Sequence, residues 1–296
     1  MNRSIWKNIR HFKHHIGETT PLAFKGKDYC LYNVSAINGA QPKGRPDHAV
    51  IVERKTGKEV AHVLDEHYFI YAYVANGTCY CYGTYVGNNG TWQGDNIVMT
   101  CSKDLRRWSK PAQVFQYPLG RIFNTAIAFD GKRYVMLFET DDNRYKPFTF
   151  RFLESTDLVH WTLLDKPIYG DKKYVGGPAL YYLPEDGFFY VTYVNEFVNE
   201  ETRALNYDTC IARSKNLVTW EEGKRPILFP DYSHRPFPRK HPSVYEINAS
   251  DAEFIEKDGK VTVFYCGGNQ QGVCDNAMAE YDGILLDLFH KFFKSK

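Results

Sequence analysis

Hydrophobic and polar positions in this chain alternate in short bursts rather than at helical spacing. Runs such as Asn96–Cys101, Asp208–Arg213 and Val261–Tyr265 are rich in β-branched and aromatic residues and are bounded by Gly, Asp and Asn. They predict short strands joined by tight turns. The clearest case is Asn248–Tyr265, in which an inward strand, an Asp258-Gly259 hairpin turn and a second strand lead into a polar, Gly-rich exit.

That hairpin recurs. Turn glycines stand at Gly26, Gly77, Gly131, Gly187 and Gly259, with intervals of 51, 54, 56 and 72 residues. A second motif runs in phase: Ser102-Lys103-Asp104-Leu105-Arg106-Arg107-Trp108, Ser155–Trp161 and Ser214–Trp220, at intervals of 53 and 59 residues. About four short strands per period of roughly 50 residues is the size of a propeller blade. The Asp or Asn of each motif suits a turn that bonds back on itself, and the Trp supplies an apolar plate for packing between blades. The expected fold is all-β, a five-bladed β-propeller occupying residues 1–296 as a single domain.

Two segments depart from the repeat. Near the N-terminus, Ile5, Ile9, Phe12 and Ile16 recur at three- and four-residue spacing, which predicts a short amphipathic helix or arm. His11, His14 and His15 on it are read as a solvated face. At the other end, Ile284, Leu285, Leu288, Phe289 and Phe292 fit one face of a helix packed on the ring. The longest interval contains Pro230–Ile247, a proline-stiffened insertion carrying His234, Arg235, Arg239, Lys240 and His241. Insertions at blade junctions lie on a rim, where function concentrates.

Composition narrows the classes. The net charge is +2 from 37 basic and 35 acidic residues, which gives no support for nucleic-acid binding. Seven cysteines without paired CxxC motifs read as free thiols in a reducing compartment rather than as a zinc site. Residues 1–7 lack an apolar leader-like core and no run approaches transmembrane length, so the expectation is a cytoplasmic protein without membrane partners.

In a propeller the innermost strand of each blade lines the channel, so the segments before each hairpin bring their side chains to one mouth. Aligning Pro21, Ala126, Pro178 and Ala252 puts Thr20, Thr125, Gly177 and Asp251 at equivalent places. Asp251, Glu18, Glu139 and Glu196 are the candidate catalytic carboxylates, each also readable as a strand-end acid facing water. Trp92, alone in a Gly-rich loop, is either a sugar-stacking platform or a loop anchor. Asn124, Arg121, Glu253 and Gln270 are further candidate sugar contacts.

The five blades, the Ser-x-Asp-Leu-x-x-Trp turns, the stretch Asn248–Phe254 with Gly268-Asn269-Gln270-Gln271-Gly272, and the closing Ala279-Glu280-Tyr281-Asp282-Gly283 resemble the five-bladed glycoside hydrolases of families 43 and 117. Families 32 and 68 share that architecture. The resemblance implies hydrolysis of an oligosaccharide's glycosidic bonds by paired carboxylates at the mouth, one protonating the leaving oxygen and one activating water or attacking carbon. It also makes His241 a candidate acid. It implies no cofactor beyond a channel Ca²⁺, for which no Asp-rich ligand loop is present. The chain departs from the family-43 pattern in blade one, where Thr20-Pro21 stands in place of an inner-strand Asp followed by Pro. Either Glu18, two residues upstream on the same strand face, replaces that acid, or the acid is absent. That departure keeps a second reading open, a non-catalytic carbohydrate-binding propeller, alongside a protein-interaction propeller that no residue specifically favours.

Overall fold

A computed structural model describes residues 5–14, 18–36, 43–86, 92–146, 148–270 and 272–293, without the side chains at 13 and 14. The side chain of His14, all of His15, and residues 38–42 and 87–91 of the expected loops therefore lie outside the described structure.

The strands form five four-stranded antiparallel sheets. Residues 7–14 supply β1 (Lys7–His14), which belongs to the last sheet. Blade one is β2 (Thr19–Phe24), β3 (Lys27–Val34), β4 (His48–Glu53) and β5 (Glu59–Val63). Blade two is β6 (His67–Ala75), β7 (Thr78–Tyr85), β8 (Asn96–Ser102) and β9 (Ala112–Gln116). Blade three is β10 (Ile122–Phe129), β11 (Tyr134–Thr140), β12 (Thr149–Ser155) and β13 (Thr162–Tyr169). Blade four is β14 (Gly176–Leu183), β15 (Phe188–Val198), β16 (Leu205–Ser214) and β17 (Glu221–Glu222). Blade five is β18 (Ser250–Lys257), β19 (Lys260–Cys266) and β20 (Asp275–Asp282), completed by β1. The first strand of each of these runs is innermost, and β2, β6, β10, β14 and β18 contact one another around a closed ring.

Of the helix or arm expected over 4–16, the described residues 5–14 form the arm, an extended strand and not a helix. Its residues pair instead with β20, His11 opposite Ala277 and Arg10 opposite Met278. The open edge of β20 offers a full ladder of backbone hydrogen bonds to any extended partner, and this outweighs a local apolar spacing whose residues Ile9 and Phe12 remain exposed. The two ends of the chain thus meet in one blade and close the ring.

The repeated turns are built alike. Oδ1 of Asp104, Asp157 and Asn216 accepts two backbone N–H bonds apiece, from Arg106 and Arg107, from Val159 and His160, and from Val218 and Thr219. The following Leu105, Leu158 and Leu217 all adopt left-handed backbone angles, with φ of 58°, 67° and 63°, which the shared Asx bonds hold in place. Each motif Trp packs between its own blade and the preceding one. Trp108 joins a cluster of blades one and two, Trp161 one of blades two and three, and Trp220 one of blades three and four. The C-terminal helix α1 (Leu285–His290) buries Leu285, Leu288 and Phe289 against blades four and five, while Ile284 at its entry stays exposed.

Candidate active site

Each inner strand ends at its hairpin, and counting back six residues from that end gives Glu18, Phe69, Phe123, Gly177 and Asp251. These five form the mouth ring of the channel. Two residues further along lie Thr20, Tyr71, Thr125, Ala179 and Glu253, the next layer down. The ring position of blade one is therefore Glu18. Thr20, which the sequence alignment set beside Asp251, belongs with Glu253, and Thr125 with it. The alignment slipped by two residues because Pro21 and Ala126 lie three residues before their strand ends, and Pro178 and Ala252 five before theirs. β6, β10, β14 and β18 each carry a one-residue bulge at the ring position, whereas β2 runs without one. A bulge re-aims one side chain and shifts the apparent register before it. Phe69, Gly177 and Asp251 have positive φ there, at 54°, 47° and 52°.

The cavity at this mouth is lined by Glu18, Thr20, Asn124, Gly177, Asp251 and Glu253, with Phe69 and Tyr71 on the blade-two side. Glu139 enters from the end of β11. Its Oε2 accepts the backbone N–H of Gly177 at 2.9 Å and Asn124 Nδ2 at 3.2 Å, so an acid of blade three is anchored on blade four. Asp251 accepts the hydroxyl of Ser250, which is itself bonded by Gln270 Nε2 at 3.1 Å. Gly177 has no room for a side chain: a Cβ there would lie 2.2 Å from Asp251 Oδ1. Deeper in the channel, Tyr181 donates to Glu253 Oε2 at 3.4 Å while accepting the amide of Phe254.

Burial in this cleft drives all four acids toward the neutral form. It pushes Glu139 up to about 8 against the opposing bonds from Asn124 and Gly177, and it pushes Glu253 up to about 8. Glu18 is raised well above the usual carboxylate range, by burial first and then by the charges of Asp251 and Glu139. Asp251 is raised by burial and held back by the Ser250 bond.

The other candidates lie around this centre at varying distance. Glu196 sits near the end of β15, and its charge reaches Tyr174, whose ring also feels Glu139 and Asp251. Arg121 binds Asp141 through its backbone amide and guanidinium and covers the ring of Phe123, on the outer side of the mouth ring. Trp92 stacks on Tyr68 at 5.5 Å and meets Phe69 edge-on at 5.0 Å, so it stands behind the mouth ring with one face covered. His241 lies on the insertion, its amide bonded to Phe237 O. Arg235 of the same loop covers Tyr245 at 4.4 Å, and Arg239 and Lys240 are exposed. The insertion runs directly into β18 and therefore shares the end of the barrel on which Asp251 opens.

Sequence reasoning placed Gly177 level with Asp251 but gave it no role, and named no role for Ser250, Tyr174 or Tyr181. Gly176-Gly177-Pro178 entering a strand was the available signal, since glycine inside a strand pattern marks a bulge or a close backbone approach.

No family model matches the chain, and no curated protein matches it. Many solved structures do. An α-L-arabinofuranosidase from Lactobacillus brevis superposes with a TM-score of 0.60 at 12% identity, covering 90% of each chain. An α-L-arabinofuranosidase from Fusarium graminearum, solved with an iminosugar inhibitor, gives 0.63 at 12% identity over 94% of this chain and 98% of its own. A thermostable family-43 glycoside hydrolase gives 0.58 at 14% identity over 89% and 88%. At these identities the likeness speaks to fold: over nearly its whole length this chain shares the architecture of glycoside hydrolases of the arabinofuranosidase and family-43 kind.

Proposed function

We propose that the protein is a glycoside hydrolase that removes a terminal sugar from an oligosaccharide at the channel mouth. The observation that carries this reading is the convergence of Glu18, Glu139 and Asp251 in one buried cleft with unequal protonation. Hydrolysis of a glycosidic bond needs a carboxylic acid and a carboxylate at once, and environment must hold their pKa values apart.

The roles follow from the surroundings. Asp251, whose ionised form the Ser250 bond favours, is the carboxylate that activates water or attacks the sugar carbon. Glu139, neutral up to about pH 8, is the acid that protonates the leaving oxygen. Its two donors, Asn124 and Gly177, stabilise the anion it becomes once the proton is given. Glu18, under the charge of both, stays protonated and positions the sugar or the water. The wall formed by Phe69, Phe123 and Tyr71 suits the apolar face of a sugar ring. Structural likeness to arabinofuranosidases makes an α-L-arabinoside the first substrate to try.

The test is release of free sugar from a panel of arabinosides, xylosides and galactosides followed by anion-exchange chromatography. Turnover of at least one supports the reading. Binding of a panel member without release from any would instead make this a carbohydrate-binding propeller.

A further inference from the structure

Ionisable groups converge at a second place, on the outer side of blade five. His11 of β1, Asp275 at the start of β20, and His234 and Glu246 of the insertion each bring one ligand atom to within 4.8 Å of the others. His11 Nδ1 lies 3.0 Å from Asp275 Oδ2 and 3.6 Å from Glu246 Oε2, and His234 Nε2 lies 3.1 Å from the same Asp275 oxygen. Nitrogen and oxygen ligands held tetrahedrally at about 2.0–2.1 Å from an ion stand roughly 3.3–3.4 Å apart. The three separations straddle that value.

The rings of His11 and His234 lie face to face, 3.4 Å between centroids and 13° from parallel. Glu246 is fully buried and Asp275 is 2% exposed. Glu246 Oε2 and Asp275 Oδ1 are buried without a hydrogen-bond donor among the described residues. Both face the bare α-carbon of Gly267, where a Cβ would come within 2.9 Å and 2.5 Å of them. Buried carboxylate oxygens are stable when paired or coordinated, and a divalent cation would give all four side chains a common partner.

We propose that His11, His234, Glu246 and Asp275 form a structural site for a divalent transition ion, zinc by its chemistry. Two imidazoles and two carboxylates without a thiolate suit Zn²⁺, whereas Ca²⁺ and Mg²⁺ favour all-oxygen shells. Four protein ligands close the shell, the arrangement of a structural rather than a catalytic zinc. The ligands come from the N-terminal strand, the C-terminal strand and the insertion. The ion therefore clasps the two ends of the chain where the ring closes and ties down the loop that leads into Asp251. In the sequence these residues are too far apart to make a motif, and His11 reads there as a solvated face.

The test uses the full chain, stripped with a chelator and then titrated with Zn²⁺, Ca²⁺ or Mg²⁺. Metal content by plasma mass spectrometry and the thermal midpoint are the readouts. The expected result is about one zinc per chain and a midpoint raised by several degrees with zinc alone. His234→Ala, a change on a partly exposed loop residue, should bind zinc at least tenfold more weakly while keeping the β-sheet spectrum of the wild type. An equal midpoint with and without chelator and zinc, an equal response to Ca²⁺ or Mg²⁺, or unchanged zinc affinity in both His234→Ala and Asp275→Asn would overturn the proposal.

Discussion

Gly177 gives its amide to Glu139 Oε2 at 2.9 Å and, on its other side, leaves its bare α-carbon to Asp251. One residue of blade four thus spaces an acid of blade three from an acid of blade five, and does so at a φ of 47° that favours glycine.

Gly177→Ala should therefore damage activity more than its size suggests. The left-handed backbone costs a side chain about 1 kcal/mol, and the added Cβ, 2.2 Å from Asp251 Oδ1, must displace that carboxylate. The expected outcome is a fall in kcat/KM of roughly tenfold or more, since misplacing a catalytic group by about 1 Å can cost a hundredfold. Steady-state kinetics beside a thermal melt checks this; an unchanged kcat/KM would separate Gly177 from the site.

The raised pKa of Glu139 predicts a sign for the pH dependence of stability. Its carboxyl ionises near 4.5 in the unfolded chain and about 8 in the folded one. Its contribution to stability is full below pH 4.5 and is lost as pH rises toward 8, because only the unfolded state releases the proton in that window. Glu139→Gln should flatten the decline of the thermal midpoint between pH 5 and pH 8. In the same variant the loss of turnover above pH 8 should vanish along with most of the activity. A wild-type midpoint that rises across this window would contradict the assignment.

The inter-blade tryptophans make a graded prediction. Trp161 is 8% exposed and meets Tyr82 edge-on at 6.0 Å. Trp161→Ala should cost about 3–5 kcal/mol, read as a lower denaturation midpoint. Trp108, only half-buried, should cost less. Equal losses at both positions would mean that the two plates are not ranked by burial.

Trp92→Ala should also lower the thermal midpoint, by an amount worth about 1–3 kcal/mol, because its ring is packed on Tyr68 and Phe69. Any effect on sugar binding should then pass through Phe69, and Phe69→Ala should reproduce it. Weaker binding in Trp92→Ala with an unchanged midpoint would restore Trp92 as a direct stacking platform.

The architecture was legible because it is written five times. Turn glycines fix the hairpin of all five blades, and the Ser-x-Asp/Asn-Leu-x-x-Trp motif fixes the packing plate of three, so short-range chemistry repeats in phase. Closure was not legible: the strand over 7–14 exists because β20 has a free edge, a partner more than 260 residues away. Within the site, Asp251, Glu18, Glu139 and Glu253 could be named from strand ends and strand faces. Their ring order could not, since Pro21 and Ala126 stand on the same strand face as Pro178 and Ala252 but two places nearer the hairpin, and only the paired strands show which residues share a layer. The His11 cluster shows the same limit, because its ligands meet only once the ring has closed.

The measurement closest to the central claim is the paired turnover and binding of Asp251→Asn. The amide keeps the shape of the carboxylate and removes its charge. If Asp251 activates water or attacks the sugar, the variant should lose turnover by on the order of a thousandfold or more while binding the same oligosaccharide within a few-fold of wild type. Sugar release by Asp251→Asn at a rate near that of the wild type would contradict the account.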